Sequence, residues 1–298
     1  RGAPVSPDRL LTKSIWARSL ATRACCSGET SLVSAMVNNS WAAEVSAASR
    51  LACAAARRAM QNAGVTAEDV DLVILATTTP DNTFPATATR VQAKLGIRSG
   101  AAFDIQAVCT GFVYALTQAD NMIRLGQATC ALVIGAEIYS RILDWEDRGT
   151  CVLFGDGAGA VILEACDEEC GLIAERLGCD GDARDILAAR DSGTVRERFA
   201  GVDGFYDVNF EGQEIFKRAV RGMGEAVTSV LDKAGKSAEE IDLLIPHQAN
   251  IRIIETLMKR LKTPEEKVVV NIQKYGNTSA ATVPIALCEA LEEGRVKP

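Results

Sequence analysis

A twelve-residue pattern occurs twice in the chain, and it restricts the fold more than any other feature of the sequence. Residues 63–74 read AGVTAEDVDLVI and residues 234–245 read AGKSAEEIDLLI, with seven of the twelve positions identical. Each copy follows a long Ala-rich or amphipathic segment and leads into a short apolar run. This is the pattern of a helix end, a turn and a buried strand. We therefore expect two structurally repeated halves.

Strands and helices are predicted to alternate along both halves. This order indicates a layered α/β protein with one largely parallel sheet per half and helices covering each sheet. We expect the halves at residues 1–166 and 167–298, because the polar stretch 167–169 separates them. Helices are predicted at 42–62, 85–96, 110–125, 212–233, 249–261 and 278–293. Strands are predicted at 102–106, 130–136, 151–154, 159–165, 171–178, 205–210, 242–246 and 267–271.

Charge and cysteine usage exclude several classes of protein. The net charge of −7 argues against a general nucleic-acid binder, and no apolar run is long enough to span a membrane. The ten cysteines are scattered without a Cys-x-x-Cys pair, so we expect reduced thiols and no metal site. Residues 1–28 hold five basic residues and one acid. This composition resembles an organelle transit peptide, and the alternative is a poorly packed N-terminus.

The chain contains one histidine, His247, in the segment Ile-Pro-His-Gln-Ala-Asn between a predicted strand and a predicted helix. A single histidine excludes two-histidine metal sites and paired-histidine acid/base catalysis within one chain. A helix N-terminus disfavours imidazolium, so we expect a neutral ring that donates a hydrogen bond. The alternative is a purely structural histidine.

Cys109 is the candidate nucleophile, because it follows a predicted strand and opens an apolar helix. Backbone N–H groups at a helix start lower the pKa of a thiol and bind an oxyanion, so we expect a reactive thiolate. The alternative is a small apolar filler. Asn277, in Lys-Tyr-Gly-Asn-Thr-Ser, follows another predicted strand and is a candidate third member of the site. Its alternative role is a turn or a helix cap.

These segments together resemble the β-ketoacyl-acyl-carrier-protein synthase III family of the thiolase-like superfamily. Cys109 in AVCTGF, His247 in PHQANIRII and Asn277 in YGNTSAATVPIAL match the family's catalytic Cys-His-Asn set in order and spacing. Segments 147–160 and 211–217 add to a likeness that extends from about Ala63 to Pro298. The resemblance implies an α/β fold of the five-layered αβαβα thiolase type with two pseudo-symmetric halves.

The resemblance also implies a reaction. Cys109 would take an acyl group from acyl-CoA, most simply acetyl-CoA, and His247 and Asn277 would stabilise the enolate formed when malonyl-acyl-carrier protein loses CO2. The product would be a 3-oxoacyl-acyl-carrier protein, which initiates type II fatty-acid synthesis without a cofactor. Elongating enzymes of the superfamily use Cys with two histidines, so a chain with one histidine is not one of them.

Further contacts are expected from the resemblance and, for the basic residues, from their spacing along the predicted helices. We expect a homodimer in which Phe84 reaches the partner subunit's acyl pocket, in bacterial cytoplasm or, alternatively, plastid stroma. The residues expected to bind CoA are Trp16, Arg148, Arg252 and Phe216. The basic residues expected to bind the acidic carrier protein are Lys217, Arg221, Arg252 and Lys259.

The sequence departs from the family at both ends. It stops at Gly-Arg-Val-Lys-Pro, where the family continues with apolar strands and a Gly-rich turn, so we expect those terminal strands and a second oxyanion donor to be missing. The family's N-terminal Arg-Thr-Gly-Ile segment is not recognisable. Three alternatives therefore stay open: a cysteine peptidase, a polyketide-type starter synthase, and a catalytically impaired paralogue that binds acyl-CoA or carrier protein.

Overall fold

The first half of the chain is built around one mixed β-sheet. The computed structural model describes residues 15–16, 24–26, 47–165, 171–189 and 208–296. Within these residues the main strands are β1 (Ile15–Trp16), β2 (Ala24–Cys26), β3 (Leu72–Ala76), β4 (Ala101–Ile105), β5 (Cys130–Ile138) and β6 (Asp156–Ala165). They lie in the order β1-β6-β5-β3-β4, and β2 also pairs with β6.

Only one side of this sheet, β5-β3-β4, is parallel. Strand β3 pairs in parallel with β4 and β5, whereas β6 runs antiparallel to β5 and to the two short N-terminal strands. The expectation of a largely parallel sheet is therefore correct for three strands and wrong for β6. Every residue of β3 and β5 is buried, which requires cover on both faces of the sheet.

Helices fall close to the predicted positions, because their apolar residues recur at helical spacing. The first half holds α1 (Ala48–Ala63), α2 (Thr87–Leu95) and α3 (Gly111–Arg124). The second holds α4 (Gly212–Ala234), α5 (Ile251–Leu261), the short α6 (Ile272–Tyr275) and α7 (Thr282–Glu292). Residues 42–46 of the first predicted helix lie outside the described residues.

The two copies of the repeat fold alike at their first turn. Helix α1 ends at Gly64 with φ 66° and α4 ends at Gly235 with φ 63°, the left-handed conformation that glycine adopts most readily. An acidic side chain then binds a backbone N–H three residues before it in each copy. Asp69 accepts from Thr66 N and Glu240 accepts from Ser237 N. The turn chemistry thus explains why these positions are repeated in the sequence.

The second copy does not continue into a full strand. Leu244 pairs with Val268 in an isolated bridge, so the strands predicted at 242–246 and 267–271 are reduced to one residue pair. Side chains bind the carbonyl groups that a ladder would use: Gln248 donates to Val269 O and Arg295 donates to Val268 O. Residues 265–267 form a 3₁₀ turn instead.

Two further strand predictions are wrong, and one is confirmed in part. Residues 171–178 join no ladder among the described residues. Of the predicted strand 151–154, residues 151–153 form turns, since Cys151 N and Leu153 N donate back to Asp147 O and Thr150 O, and only Phe154 forms an isolated bridge. Strand β8 (Val208–Phe210) pairs with β7 (Leu187–Ala189), and the start of the predicted strand 205–210 lies outside the described residues. The boundary predicted at 166/167 also lies outside them and stays a prediction.

Helix α7 and the 3₁₀ turn before it pack against the sheet of the first half. The close approach depends on glycines in β5 and β6. A Cβ at Gly135 would lie 2.4 Å from the carbonyl oxygen of Ala280, and a Cβ at Gly159 would lie 2.8 Å from Ile285 N. These contacts bring the end of the chain that holds Asn277 to the carboxyl end of β3 and β5.

Candidate active site

Cys109 lies at the junction of a strand and a helix, as predicted. It is the middle residue of a 3₁₀ turn, Val108–Thr110, that leads directly into α3. Val108 has φ 48°, a conformation that is costly for a β-branched residue and that persists only where the surrounding structure imposes it. The strained turn places the half-buried Cys109 at the wall of a cavity.

The prediction of a lowered pKa for Cys109 is wrong. Burial raises the pKa of the thiol to about 11, and the charge of Glu137 adds to the rise, while the nearby Ser279 hydroxyl and the backbone N–H of Cys109 oppose it. Ser279 Oγ forms no hydrogen bond of acceptable geometry with the described residues, so it is a neighbour of the thiol rather than a firm partner. The resting side chain is therefore a thiol at neutral pH.

His247 lines the same cavity, ahead of α5. The buried Gln248 side chain anchors this turn, since it donates to Pro246 O and accepts from Asn271 N. Burial lowers the pKa of His247 to about 4, so the ring is neutral at pH 7. The predicted protonation state agrees with this shift, although burial is its cause rather than the helix N-terminus.

The two ring nitrogens of His247 differ in their surroundings. Nδ1 lies 2.5 Å from Thr282 Oγ1. Nε2 is buried and has no hydrogen-bond partner among the described residues. A buried polar atom of this kind requires an explanation, and an open position for a ligand is one.

Asn277 reaches the cavity from a backbone bridge to the first half. Its N–H donates to Leu153 O, and its carbonyl accepts from Gly155 N. The side-chain oxygen accepts from Ser279 N at 2.9 Å. Because the oxygen is occupied, the NH2 group is the end that is available to donate.

The three predicted residues therefore meet in one cavity of about 960 Å³. The size is within the range of cavities that bind small molecules. One wall is aromatic: the ring of Tyr139 stacks on Phe154 at 4.7 Å, and Phe154 meets Phe210 edge-on at 6.0 Å. The cavity combines few polar groups with an apolar lining, which is the composition of a site that excludes water.

Glu137 was not predicted, although it lies close to the cavity. It is fully buried in β5, where its carboxylate accepts hydrogen bonds from Thr78 N and from the hydroxyl of Thr79 at 2.6 Å. Burial raises its pKa to about 7 despite these bonds. The sequence did contain an indication of this site, since Glu137 is the one acidic residue in the otherwise apolar strand Cys130–Ile138.

The residues expected to bind CoA are not all at the cavity. Phe216 and Arg252 line it. Arg148 is exposed on the turn that precedes residue 151 and is absent from the lining. The side chain of Trp16 lies outside what the structure describes, although its backbone pairs with Glu164. Phe84 is 83% exposed, and its contact with a partner subunit stays a prediction.

The four predicted basic residues lie on two helices that pack together, α4 and α5. All four are exposed, and Lys217 and Arg252 also line the cavity. Lys217 is 3.9 Å from Glu214, a distance at which an exposed ion pair contributes little.

Two other features are absent from the part of the chain that the structure describes. No group of three or more His, Cys, Asp or Glu side chains is placed to hold a metal ion. No helix among the described residues is long and apolar enough to cross a membrane.

Comparison with known proteins gives consistent matches. The family model of 3-oxoacyl-[acyl-carrier-protein (ACP)] synthase III matches residues 103–181. The family model of the C-terminal region of this synthase matches residues 231–298. Beta-ketoacyl-[acyl-carrier-protein] synthase III 2 of Vibrio cholerae is 54% identical over 250 residues, covering 84% of this chain and 69% of the relative.

Two solved structures resemble the chain as well. The 3-oxoacyl-[acyl-carrier-protein] synthase III of Aquifex aeolicus VF5 has a TM-score of 0.78 and 41% identity, covering 96% of this chain and 91% of the other. The priming β-ketosynthase of the R1128 polyketide biosynthetic pathway has a TM-score of 0.74 and 32% identity, covering 82% and 73%.

The fold and the cavity define a thiolase-like α/β condensing enzyme, an acyl-transferring class that takes part in the initiating condensation of fatty-acid synthesis. The chain belongs to the β-ketoacyl-[acyl-carrier-protein] synthase III family. Membership excludes the cysteine peptidase alternative.

Proposed function

We propose that the protein condenses an acyl-CoA primer, acetyl-CoA in the simplest case, with malonyl-acyl-carrier protein to give CO2 and a 3-oxoacyl-acyl-carrier protein. The observation that carries the proposal is the meeting of Cys109, His247 and Asn277 at one apolar cavity. The three residues come from distant parts of the chain, so a shared cavity is not a consequence of sequence proximity.

The first step is acyl transfer to Cys109. The sulfur attacks the thioester carbonyl of acyl-CoA, and the thiol proton leaves with the CoA sulfur, so the products are acyl-Cys109 and free CoA thiol. Because the raised pKa of Cys109 keeps the resting group protonated, no buried charge has to persist between turnovers. The backbone N–H groups at the start of α3 are the donors for the tetrahedral oxyanion.

The second step is decarboxylation of the malonyl group. Cleavage of the bond to the carboxylate releases CO2 and leaves an enolate, whose negative oxygen needs neutral donors of fixed position. The side-chain NH2 of Asn277 and Nε2 of the neutral His247 are such donors. An apolar wall destabilises the carboxylate relative to the more diffuse enolate, which favours its loss.

The third step forms the carbon–carbon bond. The enolate carbon attacks the carbonyl of acyl-Cys109, and collapse of the tetrahedral intermediate expels the Cys109 thiolate and leaves the 3-oxoacyl group on the carrier protein. The negative charge of the malonyl carboxylate thus passes to the enolate and then to the sulfur, and the thiolate takes one proton from solvent to restore the thiol. His247 donates throughout and does not act as a base.

Two partners complete the proposal. The exposed basic residues of α4 and α5 would bind the acidic carrier protein beside the cavity mouth, because Lys217 and Arg252 belong both to this surface and to the lining. Exposed Phe84 supports a homodimer in which it enters the partner's pocket.

The proposal is tested with acetyl-CoA and malonyl-acyl-carrier protein. We expect CO2 release, a 3-oxobutanoyl product and an acetyl adduct on Cys109 by mass spectrometry. Cys109→Ala should lose the adduct and the product, while Cys179→Ala, which removes an exposed cysteine outside the cavity, should keep both. Folded wild-type protein that releases no CO2 would instead indicate an impaired paralogue that only binds acyl-CoA or carrier protein.

A polyketide-type starter synthase is the second candidate, favoured by the likeness to the R1128 priming enzyme. The two functions differ in the primer. Competition between acetyl-CoA and longer acyl-CoA thioesters for Cys109 distinguishes them. Preference for acetyl-CoA supports the fatty-acid role, and preference for a longer or branched acyl group supports the polyketide role.

A further inference from the structure

Ser279 is completely buried, and its hydroxyl oxygen forms no hydrogen bond of acceptable geometry with the described residues. Its backbone has φ 48°, a strained conformation that two neighbours hold in place. The N–H of Ser279 donates to the side chain of Asn277, and its carbonyl oxygen accepts from the hydroxyl of Thr282. Imposed strain and a buried polar atom without a partner both point to a functional role.

The 3₁₀ turn that contains Ser279 packs against both the turn of Cys109 and strand β5. Its approach to β5 is closest at Gly135, where a Cβ would lie 2.4 Å from the carbonyl oxygen of Ala280. Side chains two residues apart in a strand point to the same face, so Glu137 is directed to this side of the sheet as well. The turn therefore lies next to both the thiol and the carboxyl group.

The hydroxyl of Ser279 acts on both of these groups. Burial raises the pKa values of Cys109 and Glu137, and the Ser279 hydroxyl lowers both. The charge of Glu137 adds to the rise at Cys109, which requires the two side chains to be close. A hydroxyl carries one proton and also accepts, so Ser279 can pass a proton from the sulfur to the carboxylate.

Glu137 has no cationic partner among the described residues that shift its pKa. Its carboxyl group accepts hydrogen bonds from the threonines that follow β3. The titratable side chains beside it are Cys109 and Tyr139, whereas Asp156 pairs with Ile138 on the other face of the sheet. Burial raises the pKa of Glu137 to about 7. Such a group is matched to proton transfer near neutral pH.

Acyl transfer requires a group that takes the thiol proton, because Cys109 is protonated at rest and His247 is assigned the role of a donor. We propose that Glu137 accepts the proton of Cys109 through the hydroxyl of Ser279 during acyl transfer. As the sulfur–carbon bond forms, the thiol proton passes to Ser279 Oγ and the serine proton passes to the carboxylate. When the bond to the CoA sulfur breaks, a proton returns by the same path to that sulfur. The proposal rests on the proposed function for the identity of the acyl donor.

Alkylation of Cys109 tests this proton path without any acyl donor. The protein is treated with iodoacetamide between pH 5 and pH 9, and the modified Cys109 peptide is followed by mass spectrometry. Glu137 accepts a proton only when ionised, so the rate should rise as the pH increases through about 7 and then level off. Exposed Cys179 is the internal reference, and its profile should be the same in every variant.

Two variants interrupt the path at different points. Ser279→Ala leaves Glu137 and its threonines in place, and Glu137→Gln removes the acceptor. In both, only directly formed thiolate reacts, so alkylation should accelerate about tenfold per pH unit without levelling off. At pH 8, acylation by acetyl-CoA should fall about a hundredfold, the usual contribution of a positioned base. Release of CO2 from malonyl-acyl-carrier protein should be unchanged. Ser99→Ala, at an exposed serine before β4, is the matched control and should behave like the wild type.

The double variant Ser279→Ala/Glu137→Gln separates one shared path from two unrelated defects. Residues that act as a unit are not additive, so its acylation should be no slower than that of the slower single variant. Losses that multiply would contradict the proposal, as would a wild-type alkylation rate that never levels off or an unchanged profile in folded Ser279→Ala. If one variant does not fold, the wild-type profile and the other variant decide. If the profile levels off as expected but acetyl-CoA does not acylate Cys109, the proposed function fails and the proton path stands.

Discussion

At the scale of single residues, burial disfavours the charged forms of three ionisable groups at or near the reacting residues. Burial lowers the pKa of His247 and raises the pKa values of Cys109 and Glu137, so all three shifts disfavour the charged form. An uncharged Cys109 and His247 suit a reaction whose charge develops only in the transition state, because fixed dipoles then meet the new charge.

The first prediction concerns the titration of His247. Its pKa of about 4 implies that the ring stays neutral from pH 5 upward. We expect the ¹⁵N resonances of this histidine to titrate near pH 4, and the decarboxylation rate to show no inflection at the usual histidine value of about 6.5. A midpoint between pH 6 and 7 by both measurements would mean that the imidazole is solvated.

The second prediction concerns Glu137. Its pKa is about 7 in the folded protein against 4.5 in the unfolded chain, so the folded state binds more protons between these values and loses stability as the pH rises through them. Glu137→Gln should remove this loss, which amounts to about 3 kcal/mol at most. Urea unfolding of both proteins at pH 5 and pH 8 measures the difference. Equal pH dependence in the two proteins would show that Glu137 does not titrate in this range.

At the scale of helices and strands, the sequence predicted helices better than strands. Each predicted helix is present, because an amphipathic period is a local property that one segment carries by itself. A strand depends on its partner. Segments 242–246 and 267–271 have the composition of strands. However, the side chains of Gln248 and Arg295 donate to carbonyl groups of the second segment, and the two segments form only one isolated bridge.

The same distinction applies to the site. Cys109, His247 and Asn277 were predicted because each belongs to a characteristic segment. Glu137 and Ser279 were missed, since their roles depend on which elements lie side by side. Pairing of β5 with β3 places Glu137 against Thr78 and Thr79, and no local pattern shows that pairing.

The third prediction tests the contact between β5 and the turn before α7. In Gly135→Ala the new Cβ would lie 2.4 Å from the carbonyl oxygen of Ala280, a backbone atom that cannot move freely. We expect a loss of about 1 to 3 kcal/mol in the free energy of unfolding, together with reduced activity, because the displaced turn also holds Asn277 and Thr282.

Gly222→Ala is the matched control for this change. It lies in α4, where a Cβ meets no atom within 4 Å. The control should gain up to about 1 kcal/mol, since alanine favours a helix more than glycine does. Equal free energies of unfolding for the two variants would show that the close approach of Gly135 to Ala280 does not constrain the fold.

At the scale of the whole molecule, the fold brings together residues that are far apart in the sequence. Helix α7 and the preceding turn pack on the sheet that ends at Cys109, and α4 and α5 close the cavity from the other side. The same two helices present a basic surface on a chain whose net charge is −7. A positively charged surface on a negatively charged protein is what a docking site for an acidic partner requires.

The fourth prediction tests this surface. Lys259→Glu should raise the KM for malonyl-acyl-carrier protein roughly fivefold at low salt with little change in kcat, because rim charges contribute up to about 1 kcal/mol each. The effect should shrink as salt is added. Arg98→Glu is the matched control, since this exposed residue precedes β4 and lies at the end of the strand away from Cys109. Equal KM values for both variants would exclude docking at α5.

The central claim is that Cys109 carries the acyl group while His247 acts on the malonyl group. The most direct test measures two rates in His247→Ala: acetyl transfer from acetyl-CoA to Cys109, and release of labelled CO2 from malonyl-acyl-carrier protein. We predict that acylation persists near the wild-type rate and that CO2 release falls by about a hundredfold or more, as expected for the loss of one donor to an oxyanion. Blocked acylation with intact CO2 release would contradict this assignment.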